Sequence, residues 1–211
     1  MEMDANGNIS KSKDEEVDEE EEVEYGYLQV AQVSHSRLLI PPLNFSLVNK
    51  GVYRSGYPNK RNFAFLETIG IRTFICLATE APAHLSIAND NLEFIKKRNM
   101  KRIEIPVEGQ KEPFTITPEK SVREALRHIL DVRNHPLLIH CDKGKHRTGC
   151  VIGCLRKLEG WALTSIYREY EMFTKNSARI LDFQLIEMFS MPLELLDKEK
   201  LPSFLKPTKF C

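Results

Sequence analysis

Cys141 and Arg147 stand five residues apart in the run Leu137-Leu138-Ile139-His140-Cys141-Asp142-Lys143-Gly144-Lys145-His146-Arg147-Thr148-Gly149. A loop of that length can curl so that its backbone N–H groups converge above the sulfur. A helix starting near Thr148 adds the positive end of its dipole at the same place. Amides, dipole and Arg147 together favour a thiolate at Cys141. The chemistry this permits is attack on phosphorus, a cysteinyl-phosphate, and hydrolysis of that intermediate by water. Arg147 can hold two equatorial oxygens in its planar fork, a geometry Lys cannot reproduce. Thr148 can offer its hydroxyl to the sulfur as it departs in the second step, and Gly144 permits the tight turn. His140 is expected to order the loop by hydrogen bonding rather than to serve as a base. These residue types point to cysteine-dependent phosphatase chemistry with no metal or cofactor.

Such a loop needs a buried strand before it and a helix after it. Leu137–His140 reads as the strand and Thr148–Leu158 as the helix, with Val151, Cys154 and Leu155 inward and Gly160 as its stop. Upstream, Phe45–Val48 and Val52–Arg54 read as short strands around Asn49-Lys50-Gly51. Asn62 is placed to cap a helix over Phe63–Ile69 that Gly70 ends. Ile71–Leu77 and Lys101–Ile105 are further strands, and the helix between them, near Ile87–Arg98, carries Leu92 and Ile95 inward. Thr117 followed by Pro118 marks a helix start, and Val122, Leu126, Ile129 and Leu130 recur at helical spacing. Helices near Leu163–Thr174 and Ala178–Phe189 follow. The expected fold class is α/β, a central, mostly parallel sheet flanked by helices.

The chain of 211 residues is formally neutral, but its charge is divided. Residues 1–24 carry 11 acids and 2 bases, a net −9, and the remainder is +9. Residues 1–30 therefore read as a disordered acidic leader, able to meet a basic partner or to cover a basic site. Residues 38–190 read as the phosphatase domain, and 191–211, with Pro192, Pro202 and Pro207, as a loosely attached tail. The basic remainder fits an anionic substrate. The five cysteines (76, 141, 150, 154 and 211) have neither disulfide-scaffold density nor paired zinc spacing. Cys76, Cys150 and Cys154 are expected in the core. No apolar run is long enough to span a membrane, so the expected location is cytoplasmic, with the nucleus as an alternative, and neither nucleic acid nor membrane is an expected partner.

The run His140–Cys154, H-C-D-K-G-K-H-R-T-G-C-V-I-G-C, closely resembles the plant and fungi atypical dual-specificity phosphatases, members of the cysteine-dependent phosphatase superfamily. The resemblance extends to Gly51-Val52-Tyr53-Arg54-Ser55, Asn62-Phe63, Lys111-Glu112-Pro113-Phe114, Leu155-Arg156-Lys157-Leu158, and Ala178-Arg179 with Asp182. It implies hydrolysis of the β-phosphate of inositol pyrophosphates, with a preference for position 5.

Two features of the residues agree with an anhydride substrate. Lys143, Lys145, His146 and Arg147 crowd up to four cations into five residues, with Gly144 between them and Lys111 and Arg54 as possible additions. That density suits a highly phosphorylated small molecule. The segment Val107–Ile116 contains no Asp, where protein tyrosine phosphatases usually carry an acid Asp. A phosphate leaving group, whose second pKa is about 6, needs little proton assistance. Glu108, Glu112 and Asp142 remain candidate general acids. Asp142 departs from the family pattern, because its charge opposes both thiolate and substrate unless it pairs with Lys143 or Lys145. The alternatives are a protein tyrosine or dual-specificity phosphatase using the same cysteine, and a non-catalytic phosphate-binding adaptor.

Overall fold

A computed structural model describes residues 38–78, 85–107, 117–192 and 196–205. The leader, Glu108, Lys111 and Glu112 lie outside the described residues. The compact unit begins at Leu38.

Five short strands form one sheet: β1 (Ser46–Asn49), β2 (Val52–Ser55), β3 (Thr73–Cys76), β4 (Lys101–Glu104) and β5 (Leu137–His140). Their spatial order is β1-β2-β5-β3-β4. The hairpin β1–β2 is antiparallel and the other three pairings are parallel. Gly51, at φ 77°, makes the two-residue hairpin turn possible. The strand that feeds the loop is thus the central one. Ser55 and Cys76 sit level with His140, so β2, β3 and β5 all end at one edge of the sheet. In open parallel sheets that edge is where ligands bind.

Side chains alternate across β5 as a fully buried strand requires. Leu137 and Ile139 enter one apolar cluster, and Leu138 enters the other. The larger cluster is built with α3 (Glu119–Ile129), α4 (His146–Leu158), α5 (Leu163–Thr174) and α6 (Ile180–Met188). The smaller one lies under α1 (Phe63–Thr68) and α2 (Leu85–Lys97), where Phe94 stacks on Phe63 at 4.1 Å. The expected α/β class and mostly parallel sheet are what the chain adopts.

Several local expectations are corrected. Asn62 does not cap α1. Asn59 caps a preceding 3-10 turn, accepting from Arg61 N at 3.0 Å, while the Asn62 side chain reaches back to Asn59 N at 2.9 Å. Pro118 rather than Thr117 occupies the cap position of α3, and its carbonyl accepts the first bond. Leu92 is only half-buried, and Phe94 joins Ile95 as the inward residue of α2. The segment after α6 is not loosely attached where it is described. Met191, Leu196 and Leu205 are buried in the larger cluster, because apolar side chains beside and between the prolines find a place in the core without needing a helix. No helix among the described residues is long and apolar enough to cross a membrane.

Candidate active site

Cys141 is the first residue beyond β5, and it is 3% exposed. The loop that follows is fastened to the body from the β2 side. The carbonyls of Asp142, Lys143 and Gly144 accept from Tyr57 N (2.9 Å), Asn44 Nδ2 (2.8 Å) and Arg54 Nη2 (2.9 Å). With three carbonyls turned outward, no amide N–H from 142 to 147 donates to another backbone carbonyl among the described residues. Those N–H groups are the donors an oxyanion would need. Gly144 has φ 67°, and a Cβ there would lie 2.5 Å from both Gly56 N and the Ser55 carbonyl carbon. No other residue fits against the end of β2.

Arg147 is the centre of the arrangement. Its Nη1 donates to the carbonyls of Leu77 (3.4 Å) and Val107 (3.2 Å), which follow β3 and β4. Its Nη2 donates to the carboxylate of Asp142. The partner that offsets the Asp142 charge is Arg147 rather than Lys143 or Lys145, because the curled loop returns position 147 to position 142. A carboxylate used as an acceptor in this way is not arranged as a proton donor.

Arg54 is also corrected. It is 1% exposed and lies beneath the loop, not in the cavity. Its guanidinium stacks over Phe173 at 3.6 Å while holding Gly144 O. Burial lowers its pKa to about 10, with the Glu169 carboxylate working in the other direction. It supports the loop from below.

His146 opens α4 and is tied to α5 and α6. Tyr170 O–H donates to Asp182, so its oxygen accepts from His146 Nδ1–H at 3.0 Å. Gly149 lets this happen, since a Cβ there would be 2.8 Å from the Tyr170 ring. Burial would raise the Asp182 carboxyl, but bonds from His146, Tyr170 and Cys150 outweigh it and hold it below its ordinary value. Burial, and then Asp182, push the Cys150 thiol well up. Cys76, Cys150 and Cys154 are all buried and all shifted up by burial, as inert core thiols are. His140 is 1% exposed between Tyr57 and Phe74. Burial, aided by Arg102, lowers its pKa to about 3, so it stays neutral. Thr148 is fully buried, and its hydroxyl has no hydrogen-bond partner among the described residues.

A cavity of about 130 Å³ opens at the loop, lined by Cys141, Asp142, Lys143, Lys145, His146 and Arg147, and by Arg179 just before α6. Two roomier depressions, one between β1 and α5 and one on α2, contain no cysteine and no comparable cluster of bases. The sequence reading missed a site role for Arg179, Tyr170 and Asp182. Arg179 and Asp182 stood in the matched stretch Ala178-Arg179 with Asp182, but nothing local to α6 says that it packs on α4.

A strand–loop–helix unit whose cysteine and arginine share one cavity, with loop amides that bond no other backbone carbonyl among the described residues, defines a cysteine-phosphatase fold and site. Residues 39–208 match the tyrosine phosphatase family, and the chain belongs to that family. It is similar to inositol diphosphatase DSP1 of Oryza sativa subsp. japonica, 47% identical over 154 residues, which cover 73% of this chain and 67% of that one. It is also similar to inositol diphosphatase SIW14 of Saccharomyces cerevisiae, 43% identical over 72% of this chain and 52% of that protein. The crystal structure of the core catalytic domain of PP-IP phosphatase SIW14 in complex with citrate superposes with a TM-score of 0.66 at 40% identity, covering 72% of this chain and 89% of that one.

Proposed function

We propose that this chain hydrolyses the β-phosphate of inositol pyrophosphates through a cysteinyl-phosphate on Cys141. The observation that carries the reading is the cavity itself, where one cysteine shares walls with Lys143, Lys145, His146, Arg147 and Arg179. The names of the rice and yeast relatives support the substrate class.

In the first step Cys141 Sγ attacks the β-phosphorus and the bridging P–O bond breaks. The electron pair of that bond leaves on the inositol α-phosphate. A phosphate of second pKa about 6 carries that charge without a proton donor. The loop N–H groups and Arg147 hold the equatorial oxygens as charge redistributes over them. Water then attacks the thiophosphate, the S–P bond breaks, and Thr148 O–H donates to the departing sulfur. Asp142 must release Arg147 before the phosphate can take the whole fork. Lys143, Lys145 and His146 neutralise the rest of a crowded anion.

The test is phosphate release from an inositol pyrophosphate and from phosphotyrosine peptides, with wild type and Cys141→Ser. Wild type favours the pyrophosphate in kcat/KM, and Cys141→Ser releases nothing. A preference for the peptides would replace this reading with a protein phosphatase. An adaptor would bind either anion and turn over neither.

A further inference from the structure

Among the described residues, the cavity is lined by six residues from the loop and the first turn of α4, and by Arg179 from a separate part of the chain. It precedes α6 in extended backbone, at φ −119° and ψ 131°, and is half-buried. Three other arginines of the domain are committed. Arg147 holds two carbonyls and Asp142, Arg54 holds Gly144 O and Phe173, and Arg156 is paired with Glu159 and Glu169. No hydrogen bond, ion pair or ring contact engages the Arg179 side chain among the described residues. Asp182, the acid of the same segment, is taken by Tyr170 and His146. Arg179 and His146 line the same cavity, and Arg179 is near enough to Tyr170 to act on it electrostatically. A half-buried guanidinium with no anionic partner among the described residues is placed to take a ligand anion, which offsets the cost of its desolvation.

The phosphate over Cys141 is already surrounded by the loop N–H groups and Arg147. A charge delivered from the extended segment before α6, on a wall the loop does not build, has a different target. We propose that Arg179 is a specificity-determining residue that binds a second phosphate on the same substrate, next to the one being hydrolysed. The proposal rests on the phosphatase reading of the loop and deepens it. It separates substrates with neighbouring phosphates from those with one, because only the former reach both sites. The planar fork suits such a contact, and a lysine at 179 would retain the charge without the two-point geometry.

The experiment compares wild type with Arg179→Gln and Arg179→Lys. Turnover of p-nitrophenyl phosphate reads the single-phosphate site. Calorimetric binding of inositol hexakisphosphate to the same variants in a Cys141→Ser background reads the polyphosphate contact without needing turnover. Arg179→Gln should weaken hexakisphosphate binding roughly 10- to 100-fold, as loss of a charge-assisted bond does, with Arg179→Lys intermediate. That loss should exceed the fall in kcat/KM on p-nitrophenyl phosphate by about tenfold or more. Equal losses in both measurements would make Arg179 a structural residue and overturn the proposal, as would unaltered hexakisphosphate binding. If wild type fails to cleave an inositol pyrophosphate, the substrate reading falls, and the binding measurement still decides the role of Arg179.

Discussion

Arg147 Nη2 donates to the carboxylate of Asp142, five positions back in the same loop, so the guanidinium meant for phosphate is already held by an internal anion. The Asp142 side chain is 44% exposed and that of Arg147 is 14% exposed, so solvent screens the pair and it is worth no more than about 1 kcal/mol. Asp142→Asn should therefore raise kcat/KM on phosphorylated substrates, by up to about fivefold. It should tighten competitive inhibition by inorganic phosphate in proportion. A proton-donor role for Asp142 demands the opposite, a fall in kcat of about 100-fold or more. Steady-state kinetics on one aryl phosphate and one inositol pyrophosphate distinguishes the two.

Gly144 is where the loop touches β2. An alanine Cβ would be 2.5 Å from the backbone of Ser55 and Gly56, at a φ of 67° that side chains rarely adopt. Gly144→Ala should cost about 1–3 kcal/mol in unfolding free energy and lower kcat more than it raises KM, because the N–H groups lose their common focus. Denaturant unfolding alongside kinetics checks this. An unaltered kcat would show that the loop tolerates displacement.

Arg54 supports Gly144 O from a fully buried position. Arg54→Met keeps the packing on Phe173 but leaves that carbonyl without its charged donor, so stability should fall by about 1.5–3 kcal/mol. The kinetic loss should appear in kcat. A rise in KM with stability intact would instead place Arg54 on the substrate.

His140 makes stability pH-dependent. Its pKa is about 3 when folded, against an ordinary value near 6.5, so between these the unfolded chain binds the extra proton. The folded state is then disfavoured as pH falls, by about 1.4 kcal/mol per pH unit at most, and the penalty is absent above pH about 6.5. Asp182 adds a second loss, which begins as pH falls through the ordinary carboxyl value and continues toward its depressed folded value. His140→Phe, which suits a site between Tyr57 and Phe74, should flatten the upper window and leave the lower one. Urea unfolding at pH 7 and pH 5 measures the difference. Equal slopes in variant and wild type would assign the effect elsewhere.

What could be read from the sequence was local or periodic. The run Leu137–Gly149 announced strand, loop and helix in order, and β5 does split its side chains between the two apolar clusters. Side chains whose partners are set by folding were harder. Arg147 as the partner of Asp142 has no sign in the sequence, because the loop's closure onto position 147 is three-dimensional. Arg54 looked like a further substrate cation. Yet it shares a strand face with Val52, which is 0% exposed, and that two-residue period was the available sign of burial. Arg179 and Tyr170 acquire their roles only when α5 and α6 pack on α4, a contact without a local sequence signature. In the C-terminal stretch the prolines outweigh, in a reading of the sequence, the apolar Met191, Leu196 and Leu205 beside and between them, which the fold buries.

The central claim is that Cys141 Sγ takes the β-phosphorus of an inositol pyrophosphate. The most direct measurement is a rapid acid quench of the enzyme with substrate radiolabelled only at the β-phosphate, followed by peptide mapping. Label is expected on the peptide containing Cys141 in wild type and not in Cys141→Ser, with an unlabelled inositol polyphosphate as the first product. Label found only in free phosphate, with Cys141→Ser still active, would contradict it.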